Sequence, residues 1–388
     1  MRILVSGATY HPSVNGQAIF TINLTEGLAK NGHEVAMVFP SEQGRAYRCT
    51  RNGVKLEAVD SFNLSFIHPD TFLPLPSAKR IREVFDDFRP EIVHIQDHYP
   101  ICRFVVKESK KRNIKIVGTN HFMPDNLAAY VPGLSKVKPL YNWIMWKWMQ
   151  GVYNRVDVLT TQSRVAGEIV RTNGLRVPAF PVSCGIDLGR FFPDPSVDRE
   201  NCRLQYGLDP NRKIFLFVGR IDREKRIDVL LRAFHKLKRD DIQLAIAGYG
   251  AAMNELQALA QELNLGERVR FTGFVHEDLH VLLNSADIFV MPSEAELLSL
   301  ATLEAMACGR PLLLANALAL PELVTQNVNG YLFKPGDICD AAGYIDLLAD
   351  HPERWNEMGM ASLEKVQFHS LENSIQRYEA LYKATIAP

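Results

Sequence analysis

The sequence predicts an α/β protein built from two doubly wound domains in tandem. Three observations point there. Short apolar runs of strand character alternate with helical stretches along the whole chain. A segment rich in proline and glycine divides two such series. The 388 residues, 47% hydrophobic and 23% charged, suit two ordinary globular domains.

The first series opens with "RILVS" (2–6), a buried parallel strand by composition. A Gly/Pro/Asn loop, "HPSVNGQ" (11–17), leads into an amphipathic helix over "AIFTINLTEGLAKNG", and "HEVAMVF" (33–39) is the next strand. Strand, loop, helix, strand is a βαβ unit. "EIVHIQ" (91–96), "KIVGTN" (115–120) and "VDVLTTQ" (156–162) add strands. The stretch 178–195, with four prolines and two glycines, reads as a connector. The second series runs through "KIFLFVG" (213–219), "IQLAIAG" (242–248), "VRFTGFV" (269–275), "ADIFVMP" (286–292) and "RPLLLAN" (310–316). Domains over 1–180 and 195–369 follow, with a last helix at about 370–388 returning to the first. Ligands of such sheets sit beyond the carboxyl ends of the strands.

Net charge is zero, but residues 1–180 hold 23 Lys/Arg against 15 Asp/Glu, a local excess of +8. An anionic partner for the first half fits that excess, either a membrane surface or a nucleic acid. The six cysteines form no CxxC pair and no zinc spacing, as expected of reduced thiols in a cytoplasmic protein. "MRILVSGATYHP" lacks the long apolar core of a signal peptide. No 18-residue apolar run is present, so membrane contact is expected to be peripheral, on the inner face of the cell membrane.

Several stretches carry chemistry. Gly16 follows a strand and opens a helix, where amides attract phosphate, although a glycine there also serves as a plain turn. "VGRIDREKRID" (218–228) leaves a strand end with Arg220 and Lys225, a pair able to clamp a diphosphate, or else part of a solvated charge run. "SEAELLSLATLEAMACG" (293–309) places Glu296 in a loop after a strand and Glu304 about one turn into the following helix. Carboxylates among Leu, Ala and Met are costly without partners, so they are candidates for binding hydroxyls of a ribose or sugar. The amides near Ser299, Leu300 and Ala301 begin that helix and can hold an anion.

These stretches resemble glycosyltransferase family 4. E-x7-E with "EAMACGRP", "GRIDREK", "NGQAIFTINLTEGLAKNGHEV", "CGIDLGRFFP" and "NVNGYLFKPGD" are similar to its motifs, in order, over nearly the whole chain. The resemblance implies a GT-B fold, two Rossmann-like domains facing across a cleft, and a retaining, metal-independent hexosyltransferase using a nucleotide sugar such as UDP-glucose. It implies that Glu296 binds hexose hydroxyls and Glu304 the ribose. It also implies that Arg220 and Lys225 neutralise the diphosphate, that Gly16, Ser299, Leu300 and Ala301 complete the donor site, and that His121 of "GTNHFMPDNL" acts beside the reacting sugar. A histidine at a strand end is otherwise a common structural hydrogen-bonder. Asp125 and His98 are acceptor-side candidates. Leu297-Leu298-Ser299 replaces the family's frequent Gly-Phe-Gly, which alters the sugar-facing wall. No D-x-D triplet is present, and no cofactor or metal is expected.

The helical stretch 136–155 holds three of the four tryptophans. Asn142, Lys147, Gln150 and Asn154 fall within an arc of roughly 140°, leaving an apolar, aromatic remainder. A buried helix between layers accounts for this pattern. So does a helix lying on an anionic membrane, which the basic half favours. The expected acceptor is a diacylglycerol-type lipid, as in the glycosyl-diacylglycerol synthases that "TNHFMP" and "SLATLEAMA" resemble. The alternatives are a soluble glycosyltransferase acting on a small molecule or glycan, and a binding protein without activity. No nucleic-acid motif is present.

Overall fold

The computed structural model describes residues 1–12, 15–63, 72–75, 78–124 and 138–387. The chain forms two compact units, Met1–Gly185 with Leu371–Pro388, and Ile186–Ser370.

In the first unit the strands are β1 (Arg2–Ser6), β2 (Glu34–Pro40), β3 (Tyr47–Arg51), β4 (Val54–Val59), β5 (Ser61–Asn63), β6 (Phe72–Pro74), β7 (Ile92–Ile95), β8 (Lys115–Asn120), β9 (Val158–Thr161) and β10 (Ala179–Pro181). Eight of them form one sheet in the order β10-β9-β8-β7-β1-β2-β4-β3. Its pairings are parallel except the β3–β4 hairpin. That hairpin turns at Asn52-Gly53, both with positive φ (48° and 80°), which matches the twist of the flanking strands. The Asn-Gly pair signals the turn in the sequence. Nevertheless, the largely exposed "YRCTR" lacks the apolar run that marks β1, β2 and β7 to β9.

The helix Leu371–Ile386 belongs to this unit. Its Ile375 fills the space where Gly27, in the helix Gly16–Lys30, has no side chain. Its polar groups reach the sheet: the Tyr382 hydroxyl lies 2.7 Å from His94 Nδ1, and Tyr378 lies 3.1 Å from the Thr160 hydroxyl. His94 Nε2 meets Thr119 Oγ1 at 2.6 Å.

The second unit holds β11 (Lys213–Val218), β12 (Ile242–Ala247), β13 (Val269–Gly273), β14 (Ile288–Met291), β15 (Leu312–Ala315) and β16 (Gly330–Phe333). They form an all-parallel sheet in the order β13-β12-β11-β14-β15-β16. This is the doubly wound order 3-2-1-4-5-6, whose switch point lies between β11 and β14. β12, β14 and β15 are buried along their whole length, which is why they read as unbroken apolar runs. The edge strands β10 and β16 are short, three and four residues, too short to carry an apolar pattern of their own.

The helix Lys138–Tyr153 buries one side, through Trp146, Met149, Val152 and Tyr153. Gln150 and Asn154 are not simply solvated: their amides donate to the carbonyls of Asn173 and Gly174. The exposed side is instead apolar, with Leu140 59% and Trp143 60% exposed, joined by Ile144 and Trp148. No helix among the described residues is long and apolar enough to cross a membrane.

Burial holds His94 and His121 down to about 3 and His98 down to about 4, so all three are neutral in the folded first unit. Unfolding returns them to about 6.5, so their contribution is full above that pH and is lost as pH falls towards the folded values. The first unit should therefore unfold progressively more easily below about pH 6.5, and His94→Asn should flatten that slope. Urea titrations followed by near-UV dichroism at stepped pH measure it.

Candidate functional site

The loops after β11 and β14 leave neighbouring strands on the same side of the sheet, and side-chain and backbone bonds join them. Lys225 Nζ lies 2.5 Å from Glu296 Oε1, both side chains about nine-tenths buried (12% and 11% exposed). Arg226 pairs with Glu294 at 2.5 Å, and the Glu294 amide donates to the Glu224 carbonyl at 3.3 Å. Arg220 is half-exposed and braced within its own loop by Asp222 and Glu224, each at 2.8 Å. Glu224 is pushed up by burial, against the opposing pull of Lys225 and Arg220. Glu296 is thus a carboxylate held by a lysine. Its remaining acceptor capacity suits hydroxyl donors.

Backbone packing fixes where the β11 loop emerges. A Cβ on Gly248 would stand 1.9 Å from the Gly219 carbonyl oxygen, and one on Gly250 2.4 Å from that of Ile221. Gly248 also has φ +143°, outside the range L side chains favour. Two glycines after β12 therefore let the Arg220 loop lie directly against them.

Ser299 caps the helix Leu300–Ala307, its hydroxyl accepting from the Thr302 amide. The amides of Leu300 and Ala301 are the first of that helix and have no carbonyl one turn back. Glu304 follows one turn on, half-buried, with its carboxyl pushed up to about 7 by desolvation, which Arg190 opposes. Arg220, Lys225, Glu296, Ser299, Leu300, Ala301 and Glu304 thus share one unit, grouped around the ends of β11 and β14.

In the first unit Gly16 is the first residue of its helix, capped by Asn15, whose Oδ1 accepts from the Ala18 amide at 3.0 Å. His121 follows β8. Its Nε2 lies 3.0 Å from Gln96 Oε1, its Nδ1 2.6 Å from the Gln162 amide nitrogen, and Phe20 packs against its ring at 5.0 Å. With the carbonyl of Gln96 as acceptor, Nε2 carries the proton and Nδ1 accepts. His98 is buried between Tyr99 and Phe122, and neither ring nitrogen has a hydrogen-bond partner among the described residues. Asp125 lies outside the described residues.

Sequence reasoning missed the groups that hold these residues. Gln96 and Gln162 directly follow strands β7 and β9, on either side of β8, and only the sheet order brings them to His121. Asp97 is buried and takes the amides of Ala8 and Tyr99 and the side chain of Gln17, thereby fixing the first loop. Tyr249 and Phe274 follow β12 and β13, exposed by 54% and 57%, and meet edge-on at 5.5 Å. Large exposed aromatics at strand ends are the signal that could have found them.

A parallel α/β pair carrying this loop constellation is the architecture of a glycosyl-transfer enzyme, and comparison with known proteins agrees. Residues 14–190 match glycosyltransferase family 4, and residues 198–364 match the family described as glycosyl transferases group 1. The chain belongs to glycosyltransferase family 4 and has the GT-B fold; it is a retaining glycosyltransferase that uses a nucleotide sugar.

N-acetyl-alpha-D-glucosaminyl L-malate synthase of Bacillus anthracis is 28% identical over 97% of this chain and 96% of its own. Alpha-monoglucosyldiacylglycerol synthase of Streptococcus pneumoniae is 24% identical over 98% and 85%. The Anabaena protein HepE, solved in complex with UDP, superimposes with a TM-score of 0.79 at 17% identity over 99% of this chain and 100% of that one.

Gly248→Ala should cost about 2 kcal/mol or more by forcing the β11 loop away, and should weaken nucleotide-sugar binding; thermal melts and calorimetry check the two effects. Lys225→Ala strands a buried carboxylate, so it should destabilise the second unit more than Lys225→Met with Glu296→Gln does. Both variants should lose sugar transfer. A double-mutant cycle on stability and rate separates the pairing from the chemistry.

Proposed function

We propose that this enzyme transfers a hexose from a UDP-type sugar to a hydroxyl of a diacylglycerol-type lipid at an anionic membrane surface. The observation carrying the acceptor is the helix Lys138–Tyr153. Its outer side exposes Leu140, Trp143, Ile144 and Trp148 around Lys147, and Arg103 stacks over Trp148 at 4.3 Å. Burying one such side chain in lipid contributes roughly 1.5–3 kcal/mol. Each Lys or Arg near an anionic surface adds about 1 kcal/mol, and this half of the chain carries an excess of +8. The monoglucosyldiacylglycerol synthase relative supports the same reading.

In the donor site Lys225 and Arg220 face the diphosphate with the Leu300 and Ala301 amides, and Glu296 takes hexose hydroxyls. Glu304 takes those of the ribose. Tyr249 and Phe274 offer a stacking surface to the base. The bond from sugar C1 to the diphosphate oxygen breaks, and the acceptor oxygen bonds C1 on the same face. The acceptor proton passes to the leaving phosphate. Cations that stabilise the departing charge supply the main electrostatic help. His121 is held in one orientation within the first unit, its two ring nitrogens engaged by the side chains of Gln96 and Gln162. Because Glu296 is tied to Lys225, it is suited to binding hydroxyls rather than to attacking C1.

The test offers radiolabelled UDP-glucose with diacylglycerol in anionic liposomes. Label should enter the lipid and be lost at high salt. Trp143→Ser with Ile144→Ser should lower liposome binding and lipid labelling roughly fivefold or more. Turnover without labelled lipid would move the acceptor to a soluble hydroxyl compound, the alternative that the malate-glycosylating relative favours.

A further inference from the structure

In the first unit a groove of about 510 Å³ runs between the helix Arg164–Thr172 and the edge strand β10, a volume within the range of small-ligand sites. Its floor is apolar: Val170 and Leu175 are buried, and Val177 and Ala179 partly so. Its rim carries Arg164, Arg171 and Arg176 against one carboxylate, Glu168, and all four residues are exposed. Arg171 and Arg176 make no ion pair and no side-chain hydrogen bond among the described residues. Other cations of this unit are paired: Arg48 and Arg80 meet Glu57, Arg112 meets Asp86 and Glu108, and Lys110 and Lys115 meet Asp157. Part of the excess of +8 carried by residues 1–180 is therefore left without counter-charge at this groove.

We propose that this groove binds the phosphodiester headgroup of an acidic phospholipid, with the arginine rim on the phosphate and the apolar floor against the glycerol and the first acyl carbons. Charge complementarity selects an anion, and guanidinium forks match phosphate oxygens in pairs. The floor selects an anion that carries carbon, because a free phosphate would leave that surface in water. An added peptide strand is disfavoured. β10 ends the sheet, but Pro178 and Pro181 have no N–H to offer, and the Val182 amide already donates to the Thr161 carbonyl at 2.8 Å. The groove is also tied to the helix Lys138–Tyr153. Gln150 and Asn154 donate to the carbonyls of Asn173 and Gly174, and Asn154 Oδ1 accepts from the Arg176 amide at 2.9 Å. The turn that carries Arg176 is thereby fixed to the end of the helix that exposes Trp143 and Ile144. The choice of a lipid rests on the membrane reading of that helix, to which the groove adds a preference for one class of headgroup. Glu168 opposes it, since a carboxylate in the same lining repels any anion held there.

The probe is dihexanoyl phosphatidylglycerol, kept below its micelle concentration so that binding does not depend on a bilayer. Arginine Nε–Hε NMR should show Arg164, Arg171 and Arg176 shifting as it is titrated in. Arg171→Gln with Arg176→Gln should weaken binding roughly tenfold, whereas Glu168→Gln should tighten it about threefold. Inorganic phosphate should bind about tenfold more weakly than the lipid, because it leaves the floor uncovered. The substituted residues are exposed, so the variants are expected to fold, and a thermal melt checks it. Unchanged affinity in the double arginine variant overturns the site. Binding of inorganic phosphate or of hexaglutamate as tight as that of the lipid overturns the lipid as occupant. Trp143→Ser with Ile144→Ser should lower binding to phosphatidylglycerol vesicles yet leave binding of the short-chain lipid unchanged. Failure of the wild type to bind those vesicles, with the short-chain lipid still on the arginines, would remove the membrane reading and leave the groove standing.

Discussion

A parallel strand cannot return by a tight turn. Each must be followed by a crossover, usually a helix, before the next begins, and everything functional in this protein depends on that constraint. All strands of the second sheet run the same way, so the loops after β11, β12, β13 and β14 emerge along one edge. Where the winding reverses, between β11 and β14, two loops diverge and leave their backbone amides and side chains open to a ligand. Lys225 and Glu296, 71 positions apart, become an ion pair there because their strands are neighbours. The first sheet does the same for His121, set between amides contributed by the ends of β7 and β9.

Electrostatics separates the two units. The first keeps three histidines neutral, His94 and His98 fully buried and His121 partly so. The second keeps carboxylates beside cations at its open edge: Glu296 with Lys225, and Glu294 with Arg226. A buried pair of this kind is a poor source of stability, because desolvation offsets most of the attraction. Such a pair can instead exchange its internal partners for those of a ligand. The glycines at 248 and 250 belong to the same design, since side chains there would push the cationic loop out of register with the strand ends.

The helix Lys138–Tyr153 shows what a pattern leaves open. Its tryptophans are apolar wherever they point, and periodicity alone did not distinguish a core face from a lipid-facing one. Packing divides them, Trp146 to the core and Trp143 to the surface. Similarly, Gln150 and Asn154 look like a solvated stripe in sequence, yet they bind the carbonyls of the following loop.

The sequence by itself determined the alternating α/β order, the strands that run as continuous apolar segments, and the identity of Arg220, Lys225, Glu296, Glu304 and His121 as candidates. These are local properties, because burial on both faces selects apolar runs and a motif keeps its spacing. Short or exposed elements such as β3, β10 and β16 carry too little apolar signal to be read that way. Only the tertiary structure decided which groups support the site: Gln96 and Gln162 for His121, Asp97 for the first loop, and Tyr249 and Phe274 at the strand ends. Each of those pairings joins residues far apart in the chain, and their meeting depends on strand order, which residue spacing along the sequence does not encode.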